Sequence, residues 1–461
     1  MPISSFHGVE TALRGLLAQQ RAIDVTGHNI ANAAREGYSR QRVTTSASGA
    51  LGIQTAAGPA QLGSGIDVTG IQRIRDAFAD VQYRAQATRL GEAETRAALL
   101  GQSEGAFAEP GTGGLAAQLN RLWNAWSDLA NAPTSTSARQ VLLDTLKTTA
   151  TSFATLDGQL ATVQAQARTE LAAQTAVNGP IDLAAQEIAQ LNAAIGSAVE
   201  RGETPNDLLD RRDLLLDRLS SFAQIRVEPS LGADGEPLAG QIDVSIGSDG
   251  TPIVQGSAAR SPWALAFAAG DPGSGSLGAL ASIASGTGPV AAYRETIAGV
   301  AADLAAAVND IHVAAGGPPV FTLPPAGATV PGVPRPPIAV AAEVDPSSGG
   351  SLAAFVAGSV GTNDVATAIA ALRGGAADQR YTALVGQVAS DAAQANAAEA
   401  TAASLTAAMQ DRRDSVAGVS VDEEMANLML FQRGYQAAAR VLSTMDEMLD
   451  QLINRTGRVG L

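Results

Sequence analysis

The stretch LMLFQRGYQAAARVLSTMDEMLDQL, Leu428 to Leu452, places apolar and small residues at alternating spacings of three and four. This heptad pattern is typical of a helix that keeps one face against a partner helix. A second stretch with the same spacing, FHGVETALRGLLAQQRAIDVTGHNI, Phe6 to Ile30, lies at the other end of the chain. The two patterns predict that the ends of the chain pair as helices.

Large apolar side chains form both predicted seams. In the N-terminal seam they are Phe6, Val9, Leu13, Leu16, Ile23 and Ile30. In the C-terminal seam they are Leu428, Phe431, Tyr435, Leu442, Met445, Leu449 and Leu452. Gln20, Gly27 and Ala438 interrupt the seams and weaken them. We therefore predict that the ends are loose in the free monomer and become ordered when neighbouring copies cover them.

Composition limits the classes of protein that the chain can belong to. With 461 residues, of which 46% are hydrophobic and only 16% charged, the chain is expected to form several domains built from closely packed helices. Its net charge of −15 argues against binding to nucleic acids or to anionic membranes, because both require a basic surface. The absence of cysteine excludes disulfides and thiolate metal sites.

The sequence gives no sign of a cleaved secretory signal or of a membrane-spanning segment. The first residues lack a basic region followed by an apolar one, and no apolar run approaches the roughly 18 residues that a spanning helix needs. The best candidate, Ile297 to Val308, is short and contains Asp303. We expect a soluble protein that, if exported, leaves the cytoplasm without such a signal.

The pattern along the chain predicts a mainly α protein with β-rich insertions. We expect an elongated, multidomain molecule in which the terminal helices pair into a helical trunk and the middle forms an outer β-containing part. Residues 1–45 and 419–461 are predicted as the terminal helical domain, 46–224 and 277–418 as a helical bundle trunk, 225–276 as a β-rich insertion, and 316–360 as a Pro- and Gly-rich surface excursion.

Local signals support this division. Helical sequence from Asp76 to about Ala130 breaks at residues 109–114, and the next helical tract breaks at residues 178–180. Thr204 to Ser221 reads as a helix with Thr204 as its cap and Pro205 at its first position. From Ile225, short apolar runs alternate with Asp-Gly and Gly-Ser pairs, which is typical of β-hairpins.

Candidate chemical motifs are weak. Gly273, Gly275 and Gly278 spell the GxGxxG of dinucleotide sites, but no hydrophobic strand leads into them, so a glycine turn before a helix explains them better. Four aspartates on one helix, Asp207, Asp210, Asp213 and Asp217, are interleaved with arginines and predict a solvated face rather than a cation site, with Asp207 and Arg211 as a pair. We expect no catalytic residue, cofactor or metal.

The remaining candidates for a site are the histidines and the tryptophans. His7, His28 and His312 lie too far apart in sequence to form a local zinc motif. Trp123 and Trp126 are three residues apart on a predicted helix, and we expect them to pack in the core rather than to stack on a ligand.

Both ends of the chain resemble flagellar axial proteins of bacteria. GLLAQQRAIDVTGHNIANAAREGYSRQRV, Gly15 to Val43, is similar to their N-terminal signature, and AGVSVDEEMANLMLFQRGYQAAARVLSTMDEMLDQLI, Ala417 to Ile453, to their C-terminal one. Rod and hook proteins share these ends. The interior stretch TPNDLLDRRDLLLDRLS, Thr204 to Ser220, together with residues 274–280 and 308–312, resembles the hook-associated protein 1 family, whose members join hook and filament.

The resemblance implies a structural subunit without enzymatic activity. It would polymerise through its paired terminal helices, with Asn32 and Tyr38 of the turn after the first helix joining the seams in the assembly interface. The implied partners are copies in a ring, hook subunits on one side, the next junction protein toward the filament, and an export chaperone at the C-terminal helix. The implied location is the extracellular flagellum. Another axial subunit of hook or rod type is the alternative, and a nucleotide-binding enzyme using Gly273 to Gly278 is a distant one.

Overall fold

A computed structural model describes residues 7–55, 58–247, 250–261, 275–324, 330–358 and 362–451. The helices in these ranges are α1 (His7–Asn32), α2 (Ala77–Phe107), α3 (Leu115–Asn131), α4 (Thr136–Thr175), α5 (Pro180–Glu200), α6 (Asn206–Phe222), α7 (Gly275–Ala284), α8 (Pro289–Ala314), α9 (Asp364–Ala370), α10 (Ala376–Ala417) and α11 (Val421–Asp450). The mainly α fold with β-containing insertions is therefore confirmed.

The strands form small antiparallel sheets, one group between α1 and α2 and the other between α6 and α9. They are β1 (Gln41–Ala47), β2 (Leu51–Thr55), β3 (Gly58–Leu62), β4 (Ile66–Arg73), β5 (Ile225–Leu231), β6 (Pro237–Ile246), β7 (Thr251–Gln255), β8 (Ala258–Ala259), β9 (Phe321–Thr322) and β10 (Ala339–Val340). β1 pairs with β4, β2 with β3 and β9 with β10, and the largest sheet has the order β5-β6-β7-β8. The Thr- and Ser-rich sequence of β1 had not suggested a strand.

Side-chain caps explain where several helices begin. The Asp76 carboxylate accepts hydrogen bonds from the amides of Phe78 and Ala79 at the start of α2. Ser135 caps α4 and Ser420 caps α11 in the same way. These oxygens satisfy amides that have no partner inside the first turn, which stabilises each start by about 1 kcal/mol.

The residues that the structure describes form two hydrophobic cores outside the terminal pair. The larger one is formed mainly by helices α2 to α4 and α7 to α10. Trp126 is fully buried in it and Trp123 nearly so, as expected for core residues. The second core lies between α5, α6 and the sheet β5 to β8, and it contains Ile195, Leu219 and Val244.

The prediction of how α6 begins was wrong. α6 begins at Asn206 with Pro205 in the cap position and without a side-chain cap, so Thr204 does not cap it. The backbone oxygen of Thr204 instead accepts a bond from the Asn206 amide. The part of the predicted trunk that starts at residue 277 begins with two helices, α7 and α8, which are separated by a turn at residues 285–288 because Pro289 starts a new helix there.

The stretch Gly275–Ala314 is long and apolar enough to cross a membrane by length and composition. It contains the break between α7 and α8, however, and most of its large apolar side chains lie in the two cores, although Val313 is exposed. Leu280, Ile297 and Leu304 are fully buried there. The hydropathy of this stretch is therefore explained by its position in the protein interior.

Candidate assembly interface

The terminal helices α1 and α11 pack against each other in antiparallel orientation. Three contacts define the register. A β-carbon on Gly8 would overlap the thioether of Met445, one on Gly434 would lie 2.8 Å from the carboxamide carbon of Gln19, and the Asn29 amide donates to Glu424. From one contact to the next, the residue number on α1 increases by 11 and then by 10, while the residue number on α11 decreases by the same amounts. The helices therefore remain in contact over about three quarters of their length.

The C-terminal seam faces α1, as its heptad pattern indicated. The partly buried positions of α11 beyond its first turn recur every three or four residues: Asn427, Leu428, Phe431, Gly434, Ala438, Ala439, Leu442, Met445 and Leu449. This set contains the predicted seam except Tyr435, which is 36% exposed, and Leu452, which lies outside the described residues.

The N-terminal seam is offset from the face that α1 buries. Leu13 is 43% exposed, and the seam positions Gln20 and Gly27 face solvent as well. Seven of the nine exposed positions of α1 follow a heptad of their own, and only Arg21 and His28 fall outside it: Glu10, Leu13, Leu17, Gln20, Asp24, Gly27 and Ala31. The offset arises because α1 packs against the β1-β4 ribbon as well as against α11. The most buried side chains of α1 are therefore those of Ala18, Val25, Thr26 and Asn29.

The other predicted interface residues are partly buried within the single chain. They are Val9, Leu16, Ile23, Ile30, Asn32 and Tyr38. Phe6 lies outside the described residues. The part that any of the predicted residues plays between subunits stays a prediction.

The side chain of Asn29 joins four segments at the end of the terminal pair where α1 ends and α11 begins. Its amide nitrogen donates to the Gln41 carbonyl at 2.9 Å and to the Glu424 carboxylate at 3.0 Å. Its oxygen accepts from the Tyr38 hydroxyl at 2.8 Å and from the Gln41 amide at 3.0 Å. All four bonds are made at a position that is 1% exposed. The signature turn after α1 is thus fixed to both terminal helices.

Glu424 is a buried carboxylate at the start of α11. Arg40 neutralises it through a bond of 2.7 Å from its Nε and also reaches Glu423 at 2.9 Å. The backbone amide of Arg40 donates to the Ala417 carbonyl at 2.8 Å, where α10 ends. Burial raises the pKa of the neighbouring Tyr38 phenol, and nearby carboxylates raise it further, so the hydroxyl remains a donor to Asn29.

Gly37 sets the turn between α1 and β1. It has a φ of +77°, a conformation that residues with a side chain rarely adopt. Hydrogen bonds between backbone groups hold this turn. The Arg35 amide donates to the Asn32 carbonyl, and the Tyr38 amide donates to the Arg35 carbonyl.

A cluster of eight charged side chains connects the trunk to the end of the terminal pair where α1 ends and α11 begins. We call it the Arg–Asp cluster, and its members come from β4 and the loop after it, α2, α6 and α10: Arg73, Arg75, Asp80, Arg84, Asp210, Asp213, Asp217 and Arg413. Each of these side chains is less than a fifth exposed. The alternating charges compensate one another in an environment where an unpaired charge would be costly.

Asp213 lies at the centre of the Arg–Asp cluster. Arg73, Arg75 and Arg84 place nitrogens 2.9, 3.2 and 3.3 Å from its carboxylate oxygens. Burial acts to raise the pKa of Asp213, but the three guanidinium groups outweigh it, and the pKa lies below its ordinary value. The carboxylate therefore stays ionised and holds strand, loop and helices together.

The prediction that the α6 aspartates form a solvated face was wrong for three of the four. The three that belong to the Arg–Asp cluster are largely buried, whereas the Asp207 side chain is 58% exposed. Arg211 contacts Glu187 on α5 rather than Asp207. The physical reason is tertiary packing, because arginines from three distant segments converge on this helix.

Several apolar side chains of the terminal pair lie outside the contact between α1 and α11. They are between 43% and 64% exposed, and we call them the outer apolar residues: Leu13, Leu17, Val421, Met425, Met429, Leu430, Val441 and Met448. On α11, Leu430, Ala437, Val441 and Met448 follow each other at steps of seven, four and seven residues. This is a second heptad pattern on a face that the single chain leaves exposed.

A groove lies between α1, α11 and the β1-β4 ribbon. Its volume is about 500 Å³, and Ala18, Gln19, Val43, Ile66 and Phe431 are among the residues that line it. The side-chain oxygen of Gln19 is buried without a hydrogen-bond partner.

The structure gives no support to the chemical motifs. α7 begins at Gly275, where a β-carbon would lie 2.5 Å from the Phe222 carbonyl, so close packing against the end of α6 accounts for this glycine. Gly273 lies outside the described residues. Within the described ranges, no group of three or more potential metal ligands occurs. The three histidines lie in separate places, and His312 is buried in the trunk.

Sequence reasoning missed the polar residues that connect the terminal pair to the trunk. Asn29 and Glu424 are buried and paired although they lie 395 positions apart. Asn29 occurs among the apolar residues of a predicted helix, and a polar residue in such a pattern is a usable signal for a buried hydrogen-bond network. No comparable signal indicated which arginines the α6 aspartates would meet.

Comparisons with known proteins agree with this architecture. A family model described as the flagellar hook-associated protein FlgK helical domain matches residues 100–269. A model described as the flagellar basal body rod FlgEFG protein C-terminal region matches residues 413–455.

Full-length relatives extend these matches. The chain is 31% identical to flagellar hook-associated protein 1 of Bacillus subtilis, over 98% of this chain and 99% of that protein. It is 29% identical to the protein of the same name from Escherichia coli, over 55% of this chain and 44% of that one. The solved structure of the flagellar hook junction protein FlgK from Burkholderia pseudomallei covers 53% of this chain and 47% of its own, with a TM-score of 0.43 and 24% identity.

Proposed function

The chain belongs to the flagellar hook-associated protein 1 family, and on that basis we propose how this junction protein of the bacterial flagellum assembles. We propose that copies of the chain polymerise into a ring through the outer apolar residues of α1 and α11. The observation that carries this proposal is the second heptad face of α11, which is apolar and exposed in the single chain.

Packing within the chain supports the same mechanism. One residue of α11, Glu424, is less than a tenth exposed, and α1 has four such residues. A helix pair with so few buried residues gains little from tertiary packing. Each large apolar side chain that a neighbouring copy covers fully adds about 1.5 to 3 kcal/mol. Neighbours therefore supply the burial that the pair lacks.

The remaining partners follow from the position at the junction. Hook subunits contact the ring on one side and the next junction protein contacts it toward the filament. An export chaperone holds α11 before assembly and shields its outer apolar residues. The subunit reaches the extracellular flagellum without a cleaved signal peptide, and it acts as a structural adaptor rather than as an enzyme.

The junction assignment is favoured over a hook or rod subunit. The rod family model matches only residues 413–455, a region that axial proteins share. The match to hook-associated protein 1 extends over 98% of the chain, and so includes the trunk.

Complementation of a strain that lacks the gene tests the proposal. The double variant Leu430→Glu/Val441→Glu is expected to leave the thermal unfolding of the monomer unchanged, because both side chains are exposed. It should nevertheless fail to restore filaments, since carboxylates cannot be buried between subunits. The matched control is Val141→Glu on α4, where the side chain is 54% exposed, and this variant should restore filaments. Normal filaments with the double variant would contradict the proposal.

A further inference from the structure

Methionine is concentrated in the terminal helix α11. Of the six methionines in the sequence, four lie in this helix: Met425, Met429, Met445 and Met448. Met425 is 46% exposed, and Met429 and Met448 are each 54% exposed. Met445 is partly buried against Gly8 of α1. Three thioethers are therefore open to solvent on a helix that otherwise supplies the proposed contact between subunits.

The exposed methionines lie on the faces of α11 that do not contact α1. Met425 and Met429 are one turn apart, so their side chains lie on the same side of the helix. Met448 belongs to the second heptad pattern with Leu430 and Val441. A chemical change at any of the three thioethers would therefore alter the surface offered to a neighbour, while the pairing of α1 with α11 would be retained.

Thioethers react with peroxides in a balanced two-electron step. The sulfur attacks one peroxide oxygen, the O–O bond breaks, the sulfur is oxidised to a sulfoxide, and the peroxide is reduced to water. The product is polar and chiral, and enzymes can reduce it back to the thioether. Burial of the new oxygen against apolar side chains without a hydrogen-bond partner is unfavourable, whereas its exposure to water costs little.

We propose that Met425, Met429 and Met448 are oxidation-sensitive residues of α11, at each of which sulfoxide formation by peroxide opposes assembly of the free subunit. The inference rests on the proposed function, because it requires the outer apolar residues to be covered by a neighbouring copy. In the free subunit the three thioethers are accessible to peroxide. In the assembled ring they are buried and protected. Oxidation thus acts on subunits before they are incorporated.

The test uses the full-length protein and hydrogen peroxide. Mass spectrometry of proteolytic fragments follows sulfoxide formation at each methionine, and sedimentation measures polymerisation. We expect the three exposed methionines to be oxidised several-fold faster than Met445. Polymerisation of the oxidised protein should require a concentration at least about tenfold higher, since each buried sulfoxide is unfavourable. Treatment with methionine sulfoxide reductases should restore polymerisation.

Variants separate oxidation of these three residues from general oxidative damage. The triple variant Met425→Leu/Met429→Leu/Met448→Leu should polymerise like the wild type and continue to do so after peroxide treatment. The matched control Met409→Leu, on α10, should remain sensitive. Circular dichroism confirms that each variant keeps its helices.

Two outcomes distinguish failure of this inference from failure of the proposed function. If reduced wild-type protein polymerises, and peroxide-treated protein with sulfoxides at the three positions polymerises equally well, the inference is overturned and the function stands. If reduced protein does not polymerise through α11, both are overturned. Continued sensitivity of the triple variant would also overturn the inference.

Discussion

At the scale of single residues, polar side chains fix the position of the terminal pair. The Asn29 carboxamide uses all of its hydrogen-bonding capacity, with two donated and two accepted bonds. The partners are Tyr38 in the turn after α1, Gln41 in β1 and Glu424 in α11, and Gln41 is bonded through both its amide and its carbonyl. An apolar residue at this position could not connect them.

Replacement of Asn29 by alanine is expected to destabilise the protein by about 2 to 4 kcal/mol, because the Gln41 amide loses its bond to Asn29 and the buried Glu424 carboxylate loses one of its bonds while it keeps Arg40. Chemical denaturation measures the loss. The control is Asn32→Ala, whose side chain bonds to His28 one turn earlier on the same helix, and it should cost much less. Equal losses for both variants would contradict the role assigned to Asn29.

His312 is a second residue whose environment predicts a measurable effect. Its Nδ1 donates to the Pro318 carbonyl at 2.6 Å, and its Nε2 accepts from the Val356 amide at 3.0 Å. These bonds require the neutral imidazole with its proton on Nδ1. Burial lowers the pKa of His312 below its ordinary value, although the bond to Pro318 acts in the opposite direction.

The protein should therefore lose stability as the pH falls below about 6.5, the ordinary pKa of histidine. In that range the unfolded chain binds a proton at this residue more readily than the folded chain, so acid favours unfolding. Above that pH the contribution is constant. Denaturation at pH 7.5 and 5.5 measures the difference. Stability that increases toward pH 5.5 would contradict this assignment.

At the scale of elements, one close contact explains how α2 and α6 are positioned. A β-carbon on Gly91 of α2 would lie 2.2 Å from the backbone oxygen of Ser221 at the end of α6. Thr88, one turn earlier on α2, donates to the Ser220 carbonyl at 2.6 Å. The absence of a side chain at Gly91 thus allows the two helices to meet beside the Arg–Asp cluster.

The variant Gly91→Ala should lose about 1 to 3 kcal/mol of stability, because the helices must separate to admit a methyl group. Gly101→Ala, on the same helix, provides the matched control. No atom lies within 4 Å of its β-carbon position, so this substitution should stabilise the protein by about 0.5 to 1 kcal/mol through helix propensity. Thermal unfolding of both variants measures the effects, and a stabilising Gly91→Ala would show that the contact is not tight.

The same scale shows what the sequence could predict. The heptad of α11 correctly indicated its face toward α1, since periodicity is a local property of the chain. The heptad of α1 was offset from the buried face, because the β1-β4 ribbon competes for that face and its position is not encoded locally. Asp213 could be placed on a helix but not in a buried cluster, since its partners Arg73 and Arg84 come from segments more than 120 positions earlier.

At the scale of the whole molecule, burial is distributed unequally. α8 buries eleven of its residues, and it lies in the middle of the larger core. The much longer combined surface of α1 and α11 buries five residues, of which three are polar or charged. The trunk is therefore stabilised by burial as an ordinary folded domain is, and the terminal pair is stabilised by burial to a smaller extent.

Hydrogen exchange should report this difference. Amides of α1 and α11 in the free subunit are expected to exchange at least about tenfold faster than those of α8, because local opening of the pair exposes little apolar surface. In the polymer the exchange of α1 and α11 should slow, which would also test the prediction that neighbours order the ends. Equal protection of α8 and the terminal pair in the monomer would contradict both expectations.

The antiparallel register of α1 and α11 has a practical consequence for labelling. His7 and Asp450 lie at the same end of the pair, so an affinity tag or fluorophore added before α1 or after α11 would crowd a single location. The turn between β5 and β6 is a better insertion point. Its residues Ala233 and Asp234 are exposed and lie in the sheet that packs on α5, away from both terminal helices. A reporter placed there would not obstruct the surfaces of α1 and α11 through which we propose that the subunits polymerise.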